Sequence, residues 1–151
     1  MLHVFVDADA CPGKAEAYKV AERYKLQVTL VANSRMQVPH NRLIRLEVVG
    51  AGADVADDWI VEQVQDCDIV VTADILLADR CLKKGARAIG TNGKLFTEDN
   101  IGGAVATRNL MAELRGAGET TGGPPPLQKR DRSRFLHQLD EVIQTIRRQE
   151  L

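Results

Sequence analysis

Apolar and polar positions along this chain alternate between two periods. Short apolar runs at 2–7 (LHVFVD), 26–31 (LQVTLV), 44–49 (IRLEVV), 68–72 (DIVVT) and 86–89 (ARAI) have the length and β-branched content of buried strands. Between them the spacing turns helical. Over 13–25, Ala15, Ala17, Tyr18 and Ala21 share a face, after Pro12 in a first-turn position. Over 54–65, Val55, Trp59, Ile60 and Val64 recur at three to five residues. Over 75–84, Leu76, Leu77, Cys81 and Leu82 do the same, and Gly85 is a natural stop. Two further helices are predicted at about 99–115, capped by Asp99 or Asn100, and at 131–149.

Strands alternating with helices of this length predict βαβ units. The expected fold is α/β, a three-layer sandwich around a mainly parallel central sheet, with C-terminal helices added. The longest irregular stretch inside the body is 32–43 (ANSRMQVPHNRL). Residues 116–130, from GAGETTGGPPPLQK onward, are too rich in Gly and Pro for a regular element and read as a flap or a tether. No repeat or second-domain boundary interrupts the pattern, so residues 1–151 are expected to form one domain with a core covering about two thirds of the unfolded surface.

Composition narrows the function classes. Hydrophobic residues make up 44% and charged residues 27%, ordinary values for a globular protein. Aromatics are only 4%, which excludes base-stacking platforms as a major theme. The net charge of −1 conceals an acidic body and a basic tail, with Lys129, Arg130, Arg132 and Arg134 grouped around Asp131. The three cysteines form no C-x-x-C, which argues against a disulfide framework or a structural zinc site. No segment approaches the ~18 apolar residues of a membrane span, and the chain is expected in the reducing cytoplasm.

The candidate chemistry lies at the strand ends. The first strand closes in Asp7-Ala8-Asp9, and burying a carboxylate there is costly unless something offsets it. Asp54, Asp57 and Asp58 follow the third strand, at helical offsets that place them on one face. Asp74 follows the fourth, with Asp79 about a turn and a half later. Asp54 and Asp74 individually read as helix N-caps. As a set, acids after strands one, three and four converge in a doubly wound sheet. Their mutual repulsion is then resolved by a hard, oxygen-ligated cation, Mg²⁺ or Mn²⁺.

Phosphate-binding positions are expected nearby at Asn33 and Ser34 after the second strand, Thr72 just before Ala73-Asp74 (for a water or a phosphate oxygen), Asn92 in the GTNGK turn, and the Lys129, Arg130, Arg132 and Arg134 group. Gly50-Ala51-Gly52 and Gly102-Gly103 make neither a dinucleotide fingerprint nor a P-loop. Cys11 precedes a helix start, yet His3 sits at the far end of its strand, so a small buried thiol is the expectation.

Six ordered segments carry a resemblance: VDADACP (6–12), GADVADDWI (52–60), DIVVTADILLA (68–78), FTEDNIG (96–102), TRNLMAELR (107–115) and TGGPPPLQKRDRSRFL (121–136). Over nearly its whole length the chain resembles the YaiI/YqxD family of uncharacterised bacterial proteins, which at fold level is similar to the PIN-like, NYN-related nucleases. Those nucleases hold Mg²⁺ or Mn²⁺ with an Asp ending strand one, an acid on a central helix and an Asp after strand four. The resemblance implies Asp7, one or two of Asp54, Asp57 and Asp58, and Asp74 as counterparts, with Asp9 and Asp79 in support. In those nucleases two acids two residues apart follow strand four. Here Ile75 and Leu76 follow Asp74, so the second acid is Asp79 or is missing.

Three functions compete on these residues. The first is a metal-dependent nuclease or phosphodiesterase acting on RNA or another nucleic acid, with Asp7, Asp57 and Asp74 as its catalytic acids. The second is a haloacid-dehalogenase-type phosphohydrolase with Asp7 as nucleophile and Asp9 as general acid. The third is a non-catalytic nucleic-acid-binding module.

Overall fold

The computed structural model describes residues 2–8, 14–39, 41–50, 52, 55–103, 106 and 129–150, with the backbone alone at 129 and 150. Strand β1 (His3–Asp7) leads into helix α1 (Lys14–Tyr24) and strand β2 (Gln27–Ala32). An irregular connection, holding most of the 32–43 stretch, reaches β3 (Ile44–Val48). Then follow α2 (Val55–Gln63), β4 (Ile69–Val71), α3 (Ile75–Lys83), β5 (Arg87–Ile89) and β6 (Leu95–Phe96). Residues 98–103 are helical, matching the start of the helix expected at 99–115, whose remainder lies mostly outside the described residues. Helix α4 (Lys129–Glu150) ends the described chain.

The sheet order is β3-β2-β1-β4-β5-β6. β1 to β5 pair in parallel, in a register that sets Asp7 beside Val31 and Val6 beside Val71. β6 pairs antiparallel with β5. This two-residue strand was not read from the sequence, because two residues show no period.

Period two along the strands divides their side chains between two helical layers. Val4, Val6, Val28, Leu30, Ile69, Val71 and Ile89 pack with Ala17 and Val20 of α1 and with Phe135, Leu139, Ile143 and Ile146 of α4. Phe5, Val31 and Val70 pack with Ile60 of α2 and with Leu77 and Cys81 of α3. The three-layer α/β sandwich is therefore present.

The buried helix faces are rotated from those read in the sequence. In α1 the inward residues are Glu16, Ala17, Val20 and Ala21, and Ala15 is exposed. In α2, Ala56 and Ile60 face inward while Val55 is exposed; in α3, Leu77, Ala78 and Cys81 do so while Leu76 is exposed. Short helices carry too few apolar residues to define a face without knowing which layer they cover.

α4 places an apolar stripe, Phe135, Leu139, Val142, Ile143 and Ile146, against the sheet. Each such burial contributes about 1.5–3 kcal/mol. Asp140 pins the helix to α1, accepting from Arg23 Nη1 at 2.5 Å, from the Tyr24 hydroxyl and from Gln144. The Tyr24 hydroxyl, then Arg23 and Gln144, hold the Asp140 carboxyl below its ordinary range against the opposing effect of burial. The start of α4 rests on the turn after β5. Gly93 there has φ +87°, and a Cβ on it would lie 2.7 Å from the Arg134 carbonyl carbon. Only glycine meets both demands. The basic start of α4 is thereby placed at the carboxyl edge of the parallel strands.

Candidate active site

From β1 the chain builds outward to β2 and β3, then returns to β4 on the other side of β1. The strand order reverses between β1 and β4, and in such sheets the crevice outside the carboxyl ends at that point is where ligands bind. Asp7 closes β1 and Thr72 follows β4 directly. Asp7 lies two residues beyond Phe5, and Thr72 two beyond Val70, so both side chains are expected on the α2–α3 face.

The contacts bear this out. The Thr72 hydroxyl donates to Asp7 Oδ2 at 2.9 Å and accepts from the Asp74 backbone N–H at 2.9 Å. Thr72 is fully buried and Asp7 is 7% exposed. Asp74 is the N-cap of α3: its Oδ1 accepts from Leu76 N at 2.9 Å and Leu77 N at 3.4 Å. Its other oxygen, Oδ2, has no hydrogen-bond partner among the described residues. Asp74 is thus a cap, as its position alone suggested, with one oxygen to offer.

The remaining acids behave differently. Asp57 is half-buried in the first turn of α2. Asp58 pairs with Arg80 of α3 at 2.9 Å, and Asp79 with Lys83 at 3.1 Å along α3 itself. Asp9 and Asp54 lie outside the described residues. Among the described residues, no three His, Cys, Asp or Glu side chains come together as a ligand set for a metal. Among the described residues, hydrogen bonds through Thr72 link Asp7 to the backbone of Asp74, while Asp58 and Asp79 take partners within the helical layer. In chemistry the donors at the crevice among the described residues, the oxygens of Asp7, Thr72 and Asp74, fit a hard dication.

Several expected phosphate ligands hold loops together instead. Asn33 donates Nδ2 to the carbonyls of Gly50 (3.0 Å) and Gly52 (3.4 Å), tying the end of β2 to the loop after β3. Asn92 Oδ1 accepts from Lys94 N at 3.0 Å and closes the turn under α4. Thr72 is engaged at both its donor and an acceptor position. Ser34 is exposed after β2. Arg130, Arg132 and Arg134 are exposed at the start of α4 and form no ion pair among the described residues, unlike Arg23 and Arg80. The Lys129 side chain, Cys11 and the Gly-Pro segment to residue 128 fall outside the described residues.

The opposite end of β1 holds a cavity of about 370 Å³, lined among others by His3, Arg45, Glu47, Trp59 and Asp68. His3 Nε2 lies 2.7 Å from Thr29 Oγ1, and the ring stacks on Phe5 at 4.4 Å between centroids. Burial holds this imidazole below its ordinary value, opposed by Asp68 and assisted by Arg45. Asp68, not singled out in the sequence, is 6% exposed and accepts from the backbone N–H groups of His3 (3.1 Å) and Gln65 (2.9 Å). The available signal was its position immediately before a buried strand. Cys81 is buried, and that pushes its thiol up to about 12, so it is no nucleophile at neutral pH.

The family model described as an uncharacterized BCR, YaiI/YqxD family, matches residues 5–145. A UPF0178 protein of Rhodopseudomonas palustris is 56% identical over 148 residues, covering 98% of this chain and 94% of its own. One from Rhodospirillum rubrum is 55% identical over 148 residues, covering 97% and 99%. One from Azorhizobium caulinodans is 56% identical over 145 residues, covering 96% and 91%. No solved structure matches the chain. No helix among the described residues is long and apolar enough to cross a membrane. With its motifs spread over nearly the whole length, the chain belongs to the YaiI/YqxD family.

Proposed function

We propose that this protein is a metal-dependent phosphodiester hydrolase acting on RNA or another nucleic acid in the bacterial cytoplasm. The observation that carries the reading is the buried Asp7 carboxylate at the strand-order reversal, linked through Thr72 to Asp74. Carboxylate oxygens at the ligand-binding edge of such a sheet are the donors that a hard dication takes.

Asp7 and Asp74 would hold Mg²⁺ or Mn²⁺, with Asp57 in the first turn of α2 as a further acid. The ion, when bound, supplies Lewis acidity toward a phosphoryl oxygen and lowers the pKa of water. The chain itself supplies orientation. Asp74 Oδ2 is held in place because its partner oxygen caps a helix, and Asp7 is held by Thr72. Arg130, Arg132 and Arg134, placed on the same edge by the Gly93 turn, neutralise phosphates without reading sequence.

The test combines calorimetric titration of the protein with Mn²⁺ and cleavage of an end-labelled single-stranded RNA. Wild type should bind the ion and cleave, and Asp7→Asn should do neither. Cleavage by wild type that survives EDTA, or by Asp7→Asn at the wild-type rate, would overturn the reading. For the arginines, Arg130→Ala and Arg134→Ala should each lower the slope of log affinity against log salt by about 1.

A further inference from the structure

We infer that Thr72 is a positioning residue for the candidate metal site, not a ligand of substrate phosphate. The inference rests on the metal reading above, and goes beyond it by assigning the residue that sets the geometry of Asp7. Thr72 is fully buried at the end of β4. Its single hydroxyl proton is donated to Asp7 Oδ2 (2.9 Å), and its oxygen accepts the Asp74 N–H (2.9 Å). A hydroxyl has one proton to give, so Thr72 cannot donate to a phosphate without releasing Asp7.

The two bonds link the end of β1 to the start of α3. Asp7 ends β1, and Asp74 opens α3. The Asp74 N–H fixes the hydroxyl oxygen, which aims the proton at Asp7, and the capped helix in turn fixes Asp74. Thr72 thereby sets one carboxylate while it is itself set by the residue carrying the other. Groups that orient ligands in this way typically control metal affinity by roughly 10- to 100-fold.

Two variants separate positioning from packing. Thr72→Val keeps shape and volume but removes the hydroxyl, and Thr72→Ser keeps the hydroxyl and removes a methyl. Calorimetric Mn²⁺ titration should show Thr72→Val weakened roughly 10- to 100-fold and Thr72→Ser within a few-fold of wild type. A purely structural role would instead lower the melting temperature of both metal-free variants and leave the Mn²⁺ affinity of the folded protein unchanged. A second measurement needs no metal: thermal melts of Asp7→Ala, Thr72→Val and the double variant. The double variant should lose less melting temperature than the two singles together, since either change removes the same bond. Strict additivity, or wild-type Mn²⁺ affinity in Thr72→Val, overturns the assignment. Wild type that binds no Mn²⁺ while the melts are non-additive overturns the metal reading alone and leaves Thr72 as the residue that positions Asp7.

Discussion

A buried carboxylate stands at each end of β1, one accepting from backbone amides and the other receiving a side-chain hydroxyl. At the amino end, Asp68 divides its oxygens between two backbone N–H groups, closing the 65–68 turn and anchoring the first residue of the strand. At the carboxyl end, Asp7 is met by a side-chain hydroxyl in the crevice where the strand order reverses. Backbone amides are fixed donors supplied by the fold, and a carboxylate that satisfies them is part of the scaffold. A carboxylate oriented by another side chain depends on a replaceable residue and points toward a ligand-binding edge. Burial alone does not separate the two acids; the partner and the place in the topology do.

The sharpest way to break this comparison is to remove each charge in turn. Asp7→Asn should lower metal-dependent RNA cleavage by about 10³-fold, the equivalent of several kcal/mol, and leave a folded protein. Asp68→Ala should do the reverse. Leaving two amides without their acceptor costs about 2 kcal/mol, read as a lower urea midpoint, with Mn²⁺ affinity unchanged. If Asp68→Ala abolished metal binding while Asp7→Asn did not, the roles of the two ends would be exchanged.

Asp74 combines both behaviours in one side chain. Asp74→Ala should cost about 1 kcal/mol of stability through the lost cap, whereas Asp74→Asn should keep the cap and the stability. Both should weaken Mn²⁺ binding, because Asn caps as well as Asp but brings no charge. Denaturant melts beside calorimetry would separate the two contributions.

The smallest effect belongs to His3. Burial lowers its folded pKa below the ordinary 6.5, so between those values the unfolded chain binds more protons. Stability from this group is therefore present above the unfolded pKa and is lost as pH falls through 6.5 toward the folded value. A His3→Gln variant should show a flatter dependence of the urea midpoint between about pH 5 and 7.5, with cleavage unaffected.

Much of the fold was legible because strand and helix periods are local properties of the chain. The five parallel strands sit within a residue or two of the runs at 2–7, 26–31, 44–49, 68–72 and 86–89, and the irregular 32–43 stretch does connect β2 to β3 without a helix. Which face of each helix turns inward was less legible. Ala15, Val55 and Leu76 are exposed because the layer a short helix covers is set by sheet topology.

The candidate site divides along the same line. Asp7 and Asp74 stand out from their positions at strand ends, and local spacing suffices to name them. The ion pair of Asp58 with Arg80 depends on packing between α2 and α3, whereas that of Asp79 with Lys83 is a local i, i+4 pair within α3. Thr72 was noticed for its position and assigned to a water or a phosphate oxygen. Its bond to Asp7 spans 65 residues of sequence and exists only because β1 and β4 are neighbours. Asn33 is a similar case, noticed for its position after the second strand and found in the fold tying two loops.

The sequence by itself determined the alternation of strands and helices, the acidic strand ends and the basic start of the last helix. Periodicity and composition are carried by residues within a few positions of one another. The tertiary structure alone decided which acids share an edge, which are neutralised by cations of a neighbouring helix, and which hydroxyl orients Asp7. Those are consequences of strand order and helix rotation, and both are set by how distant segments exclude water together.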